Sequence, residues 1–248
     1  MKRVLIAMIL AMVTFAASAQ VAASTVASAS TTQTVKAEAL PKTDRLASFN
    51  SVKIAGPMNV EFKRVATAQE SRITYDTKGE ITSKFKFEID KKGVLLVSEK
   101  NDSKRTSVTD VTIYYHALRE VKISHAKVIF EGAVEADIFD LIVSGGATVI
   151  IEVKAMDIAV ECTGTSRLTL GGDTKYLTMR ASTAKLDCTN LSVVSATVEA
   201  SHSAEVRLFV QERLEATTST GAKLLYKGMP TILRNHNAIF GGEIININ

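Results

Sequence analysis

The sequence predicts an all-β fold, a single-stranded right-handed parallel β-helix of about 19 residues per rung, and three observations predict it. The first is a recurrent phrase. Ala126, Ala147, Ser166, Ala184, Ala204 and Ala222 stand 21, 19, 18, 20 and 18 residues apart. The second is the alternation after each of these small anchors. Two places on comes Val128, Val149, Leu168, Leu186, Val206 or Leu224, and four places on Phe130, Ile151, Leu170, Cys188, Leu208 or Tyr226. The position one place on is polar, as Lys127, Thr148, Arg167, Lys185, Glu205 and Lys223. Alternation within a phrase is the period of a strand, and recurrence between phrases makes equivalent strands stack on one core. The third is composition: 46% hydrophobic residues, only 6% aromatic and no Trp suit a thin aliphatic stack. The right hand follows from the rule for parallel β connections.

From the N-terminus, residues 1–19 read as a secretory signal peptide: Lys2 and Arg3, an apolar run from Val4 to Ala17, and Ala17-Ser18-Ala19 as the cleavage site, with cleavage between Ala19 and Gln20. The run is shorter than the roughly 20 apolar residues of a spanning helix, and no transmembrane segment is expected in the mature chain. Residues 20–45 are rich in Ala, Ser and Thr without periodicity and read as a flexible spacer. The β-helix domain is expected over 46–248. Its first rung is expected at Phe49 to Phe62, where Met58, Val60 and Phe62 reproduce the anchor and the two inward positions around a Gly56-Pro57 turn. Tyr75 to Glu99 and Val111 to Tyr115 give less regular strands, and the regular repeat begins near Glu120.

Charge and cysteine content narrow the function. The formal charge of +4 falls to +2 once Lys2 and Arg3 are removed, and the basic spots Lys91-Lys92 and Lys104-Arg105 stand beside Asp90 and Asp102, so no nucleic-acid partner is expected. Cys162 and Cys188 fall in different columns on neighbouring phrases, which favours two buried free thiols over a bridge. Neither has metal-ligand spacing with a His or another Cys, and no cofactor is expected. No H-E-x-x-H, G-x-S-x-G or phosphate-binding loop occurs. His116, His125, His202 and His236 are scattered, with His125 and His202 at corners of different rungs. Asp137, Asp140, Asp157, Asp173 and Asp187 sit at different offsets from their anchors, which argues against the facing carboxylate pair that glycan cleavage requires. No catalytic or metal-binding residue is assigned.

One resemblance stands on particular residues. Residues 215–230, with Ser219, Gly221 and Ala222 at the turn and Tyr226, Gly228 and Pro230 closing the strand, resemble the closing repeat of the putative auto-transporter adhesin, head GIN domain family. Phe49 to Phe62 and the Ser144-Gly145-Gly146-Ala147 turn are similar to that family too, and the resemblance covers Leu46 to Ile245. The turns Ala181-Ser182-Thr183-Ala184 and Ser201-His202-Ser203-Ala204 depart from it in lacking glycine. The resemblance implies an exported right-handed β-helix of the cell envelope. After Tyr226 too few residues remain for the membrane barrel of an autotransporter.

The function expected is therefore an exported, non-enzymatic β-helix located in the periplasm, at the cell surface or outside the cell. It would act as an adhesion, scaffold or binding module for a glycan or an envelope or matrix protein. The outward columns Thr148, Arg167, Lys185, Glu205, Lys223 and Ile150, Thr169, Asp187, Arg207, Leu225 form the expected recognition ribbon. The alternatives are a polysaccharide lyase or hydrolase on the same scaffold, and a structural subunit that self-associates through its terminal rungs.

Overall fold

The computed structural model describes residues 40–79, 82–237 and 240–248. The expected signal peptide, its Ala19–Gln20 cleavage point and the spacer up to residue 39 lie outside the described residues. Among the described residues the strands are β1 (Lys42–Arg45), β2 (Ser51–Ala55), β3 (Met58–Arg64), β4 (Arg72–Asp76), β5 (Phe85–Ile89), β6 (Val94–Glu99), β7 (Thr109–Tyr115) and β8 (Glu120–Ser124). They continue as β9 (Lys127–Ser144), β10 (Thr148–Thr163), β11 (Arg167–Ser182), β12 (Lys185–Ser201), β13 (Glu205–Thr218), β14 (Lys223–Lys227), β15 (Ile232–Asn237) and β16 (Glu243–Asn246). Two single turns of 3-10 helix, Ala68–Glu70 and Thr82–Lys84, are the only helical pieces among them.

The chain forms a β-solenoid of about seven turns, with coils about 19 residues apart. β9 to β13 each supply nearly a whole coil and pair in parallel with the next. The strand run after each anchor forms one face, continued by β3 and β7 at one end and β14 and β16 at the other. The run before each anchor forms the opposite face, continued by β8, β2, β6 and β5 and, at the far end, by β15. The anchors stack one above another. The N–H of Thr148 donates to the Ala126 carbonyl at 3.0 Å, Arg167 to Ala147 at 2.8 Å, Lys185 to Ser166 at 3.0 Å and Glu205 to Ala184 at 2.9 Å. Both expected inward columns, from Val128 to Leu224 and from Phe130 to Tyr226, are buried. No coil buries its own apolar edge, so this burial comes from neighbours and the stability of each coil depends on the next.

The uneven intervals in the repeat have two sources. Corners are built from one or two residues in the left-handed region, and the single Thr183 (φ 56°) makes the interval from Ser166 to Ala184 short. The corners without glycine use His125, Thr183, His202 and Ser203 at positive φ, a conformation that costs a non-glycine residue roughly 1–2 kcal/mol. Bulges at the second bend supply the rest. β9 carries two extra residues there, since Ile150 pairs with Ile129 but Glu152 pairs with Ala133. At the corresponding bend of β11, Gly172 (φ 112°) is obligatory, because a Cβ would stand 2.0 Å from the Val153 carbonyl oxygen.

Two expectations about the ends are revised. Residues 42–45, placed in the spacer, form β1 and pair antiparallel with β4. The hairpin between β2–β3 and β8 also folds outward. β2 lies between β6 and β8, and β3 between β7 and β9. The coil expected to be first is therefore second in the stack, and the later β6–β7 coil covers it. Antiparallel β4, β1 and β5 then close that end. At the other end, Asn235 and Asn246 occupy columns filled by Ala216 and Tyr226 one coil earlier. Asn246 and Asn248 bond to the Gly228 backbone, so the apolar columns finish in hydrogen-bonding groups.

Candidate binding surface

The face that follows the anchors presents the expected ribbon in register. Lys127, Thr148, Arg167, Lys185, Glu205, Lys223 and Glu243 form one outward column. Ile129, Ile150, Thr169, Asp187, Arg207, Leu225 and Ile245 form the next. Strand alternation aims these side chains away from the core, and stacking brings successive members within about 4.8 Å. Where they meet, a shallow depression of about 310 Å³ is lined by Arg167, Thr169, Lys185, Asp187, Glu205 and Arg207.

The charges in this depression are unequally satisfied. Arg207 holds Glu205 through Nη2 at 2.9 Å and Nε at 3.2 Å, and Lys223 pairs with Glu243 at 3.0 Å. Asp187 Oδ1 accepts the Thr189 hydroxyl at 2.7 Å and the Thr189 N–H at 3.2 Å. Those hydrogen bonds, aided by Arg207 and Lys227, hold the Asp187 carboxyl below the usual range against the opposing effect of burial. Arg167 and Lys185 sit side by side in register, and neither side chain has a hydrogen-bond or ion-pair partner among the described residues. Directly opposed like charges weaken a sheet. Such pairs recur elsewhere, as Lys53 with Lys122 and Glu120 with Asp140, while other charges find opposite partners. Arg64 pairs with Glu135 at 2.5 Å, and Lys154 stands in register between Glu135 and Asp173.

Other expected residues do not converge. His125 and His202 lie at corners four coils apart and bond only to nearby serines, His125 to Ser124 at 2.6 Å and His202 to Ser201 and Ser182 at 3.1 and 3.3 Å. Asp137 and Asp173 border one open trough with Lys154 and Lys175. They stand two coils apart and in different columns, Asp173 sharing its column with Lys154 and Glu135. Asp140 and Asp157 lie in other columns. Cys162 and Cys188 are free and fully buried. Among the described residues no three His, Cys, Asp or Glu side chains gather as a metal site.

A second concavity was not legible in the sequence. A cavity of about 890 Å³ lies at the free edge of β5, lined by Tyr75, Phe85 and Phe87 and by Lys42, Lys53 and Lys86. The three rings cluster with centroids 4.9 to 6.1 Å apart. Burial, then the neighbouring Asp44, raises the Tyr75 hydroxyl above its ordinary pKa. Phe85 and Phe87 alternate with Lys86 and Glu88 in a way that reads as an ordinary strand. Only antiparallel pairing with β6 brings them beside Tyr75.

Stacked parallel coils with short corners and an exposed ladder face define a β-solenoid with an extended surface. The model of the putative auto-transporter adhesin, head GIN domain, matches residues 48–230, and the chain belongs to that family. Comparison with curated proteins found no match. Among solved structures, a putative adhesin from Bacteroides fragilis is similar at a TM-score of 0.75 and 17% identity, over 84% of this chain and 96% of that one. A putative adhesin from Parabacteroides merdae gives a TM-score of 0.67 at 16% identity over 86% and 98% of the two chains. A protein from Parabacteroides distasonis described as a putative lipid binding protein gives 0.64 at 11% identity over 85% and 98%. At these identities the likeness is one of fold. Among the described residues no helix is long and apolar enough to cross a membrane.

Proposed function

We propose that this protein is an exported, non-enzymatic adhesion module of the cell envelope, and that the ribbon of β10 to β13 is its recognition surface. The observation that carries the reading is the in-register pair Arg167 and Lys185, whose exposed side chains have no partner among the described residues. Elsewhere on the stack Arg64 pairs with Glu135 and Lys122 with Glu120, whereas neither of these two side chains forms an ion pair among the described residues. Membership of an adhesin family supports the reading. Export is supported by the Lys2-Arg3 start and the Ala17-Ser18-Ala19 cleavage site.

The different columns of Asp137 and Asp173 and the short corners weigh against glycan cleavage, which needs two carboxylates facing each other in a walled cleft. Self-assembly through terminal rungs is disfavoured by Asn235 and Asn246 at one end and by Lys42 and Asp44 on the edge strand β1 at the other. The test is binding of the purified protein to an array of bacterial and host glycans beside a panel of matrix proteins, with assay for released reducing or unsaturated ends. Saturable binding without release is the expected result. Turnover of any glycan, or silence across both panels, overturns the proposal.

A further inference from the structure

We infer that the ribbon takes an acidic polysaccharide, with a uronate carboxylate seated between Arg167 and Lys185. The inference rests on the reading of this face as the adhesive surface and adds the chemistry of what it holds. The depression contains two carboxylates and three cations, a surplus of one positive charge; Asp187 accepts from Thr189, and Glu205, in register with Lys185, is held by Arg207. The unspent capacity is positive. A guanidinium offers a planar fork to one carboxylate, and an ammonium on the next coil offers a point charge to the same group. Lys185 stands beside Arg167 in register, at the strand spacing of about 4.8 Å, so one carboxylate can touch both.

The surroundings favour a sugar ring over a bare anion. Ile129 and Ile150 are 53% and 47% exposed and continue the column of Thr169 towards the neighbouring coils, which makes an apolar shelf diagonal to Arg167. A uronic acid carries both features in one residue, a carboxylate on one edge and an apolar patch of C–H groups on its ring face. The Thr169 hydroxyl lies between shelf and cations as a hydrogen-bonding group for a ring hydroxyl. The ladder repeats along the stack, so a chain laid along the axis meets Ile129, Ile150 and then the cationic pair in succession. A bare acidic peptide matches the charge but leaves the isoleucine shelf bare, and a neutral glycan matches the shelf but leaves the cations unpaired.

Three probes separate these contributions: polygalacturonate, its fully methyl-esterified form, and polyglutamate of equal charge, each titrated into the full protein at low and high salt. Saturable binding of polygalacturonate is expected, weakened by salt and at least about tenfold weaker for the ester and for polyglutamate. The Arg167→Gln/Lys185→Gln double variant should lose at least about tenfold for polygalacturonate with an unchanged melting temperature, and Ile150→Ser should lose affinity for both polygalacturonate and the ester. Absence of polygalacturonate binding, equal affinity for the ester or polyglutamate, or an unaffected double variant overturns the inference. If a neutral glycan or matrix protein then still binds through this face, the adhesive reading stands and only the ligand class falls.

Discussion

The rings of Phe62 and Phe130 lie parallel, 2° apart in plane with centroids 4.3 Å apart. They belong to β3 and β9 and pair in register, so the inward column stacks ring on ring where later coils carry Ile151 and Leu170. Tyr115 approaches both edge-on, at 5.9 and 6.4 Å. This trio joins the outer β7 coil to the regular stack. Phe62→Ala should cost about 3–5 kcal/mol, read as a lower urea midpoint. The Tyr115 hydroxyl is buried with no partner among the described residues, so Tyr115→Phe should stabilise by up to about 1 kcal/mol. A loss of stability in Tyr115→Phe would show that the hydroxyl has a partner in solution.

The assignment of inward and outward columns is tested by paired substitutions. Leu168 is 2% exposed within the column between Val149 and Leu186. Leu168→Asp should cost several kcal/mol, about 3 or more, because the charge has no partner among aliphatic neighbours. Thr148→Asp, on the outward column, should change stability by about 0.5 kcal/mol or less. Comparable melting shifts in the two variants would contradict the register.

A buried ion pair holds the loop between β6 and β7. Arg105 Nη1 pairs with Glu99 Oε1, the Thr109 hydroxyl donates to the same oxygen at 2.7 Å, and Arg105 Nη2 reaches Thr109 Oγ1 at 2.5 Å. The side chains of Arg105 and Glu99 are 8% and 0% exposed. Arg105→Met should therefore destabilise by about 3–5 kcal/mol by stranding the Glu99 carboxylate. Adding Glu99→Gln should recover a large part of that loss, as measured by a double-mutant cycle.

Stability should fall at alkaline pH because of the two thiols. Burial pushes the Cys162 thiol from 9.0 up to about 12, and burial followed by Asp187 and Cys162 raises Cys188 further. The folded state thus keeps protons that the unfolded chain releases near pH 9. Below that pH both states are protonated and the contribution is constant. As pH rises above it, unfolding is favoured by about 1.4 kcal/mol per pH unit for each thiol, until the folded pKa is reached. Cys162→Ala should flatten this limb between pH 9 and 12 relative to the parent. Tyr115, raised to about 12 chiefly by burial, adds a similar slope at higher pH. Native protein should resist thiol labelling at pH 8 and react at both positions once unfolded.

The sequence by itself determined the solenoid, because the anchors and the two columns after them state a local alternation and its recurrence, and burial satisfies both in one way. It also determined the ribbon of Thr148, Arg167, Lys185, Glu205 and Lys223, since a strand residue one place from a buried one must face outward. Only the tertiary structure decided which coil lies at the end. Alternation in Phe85 to Ile89 or Val111 to Tyr115 says that a strand has two faces and leaves open whether its neighbour runs parallel, antiparallel or out of chain order. The same reason hid the cavity of Tyr75, Phe85 and Phe87, whose members meet through antiparallel pairing. It also hid the unmet charge of Arg167 and Lys185. Sequence placed the two residues in one column, but whether each found a carboxylate depended on where Thr189 and Arg207 directed the hydrogen bonds of Asp187 and Glu205.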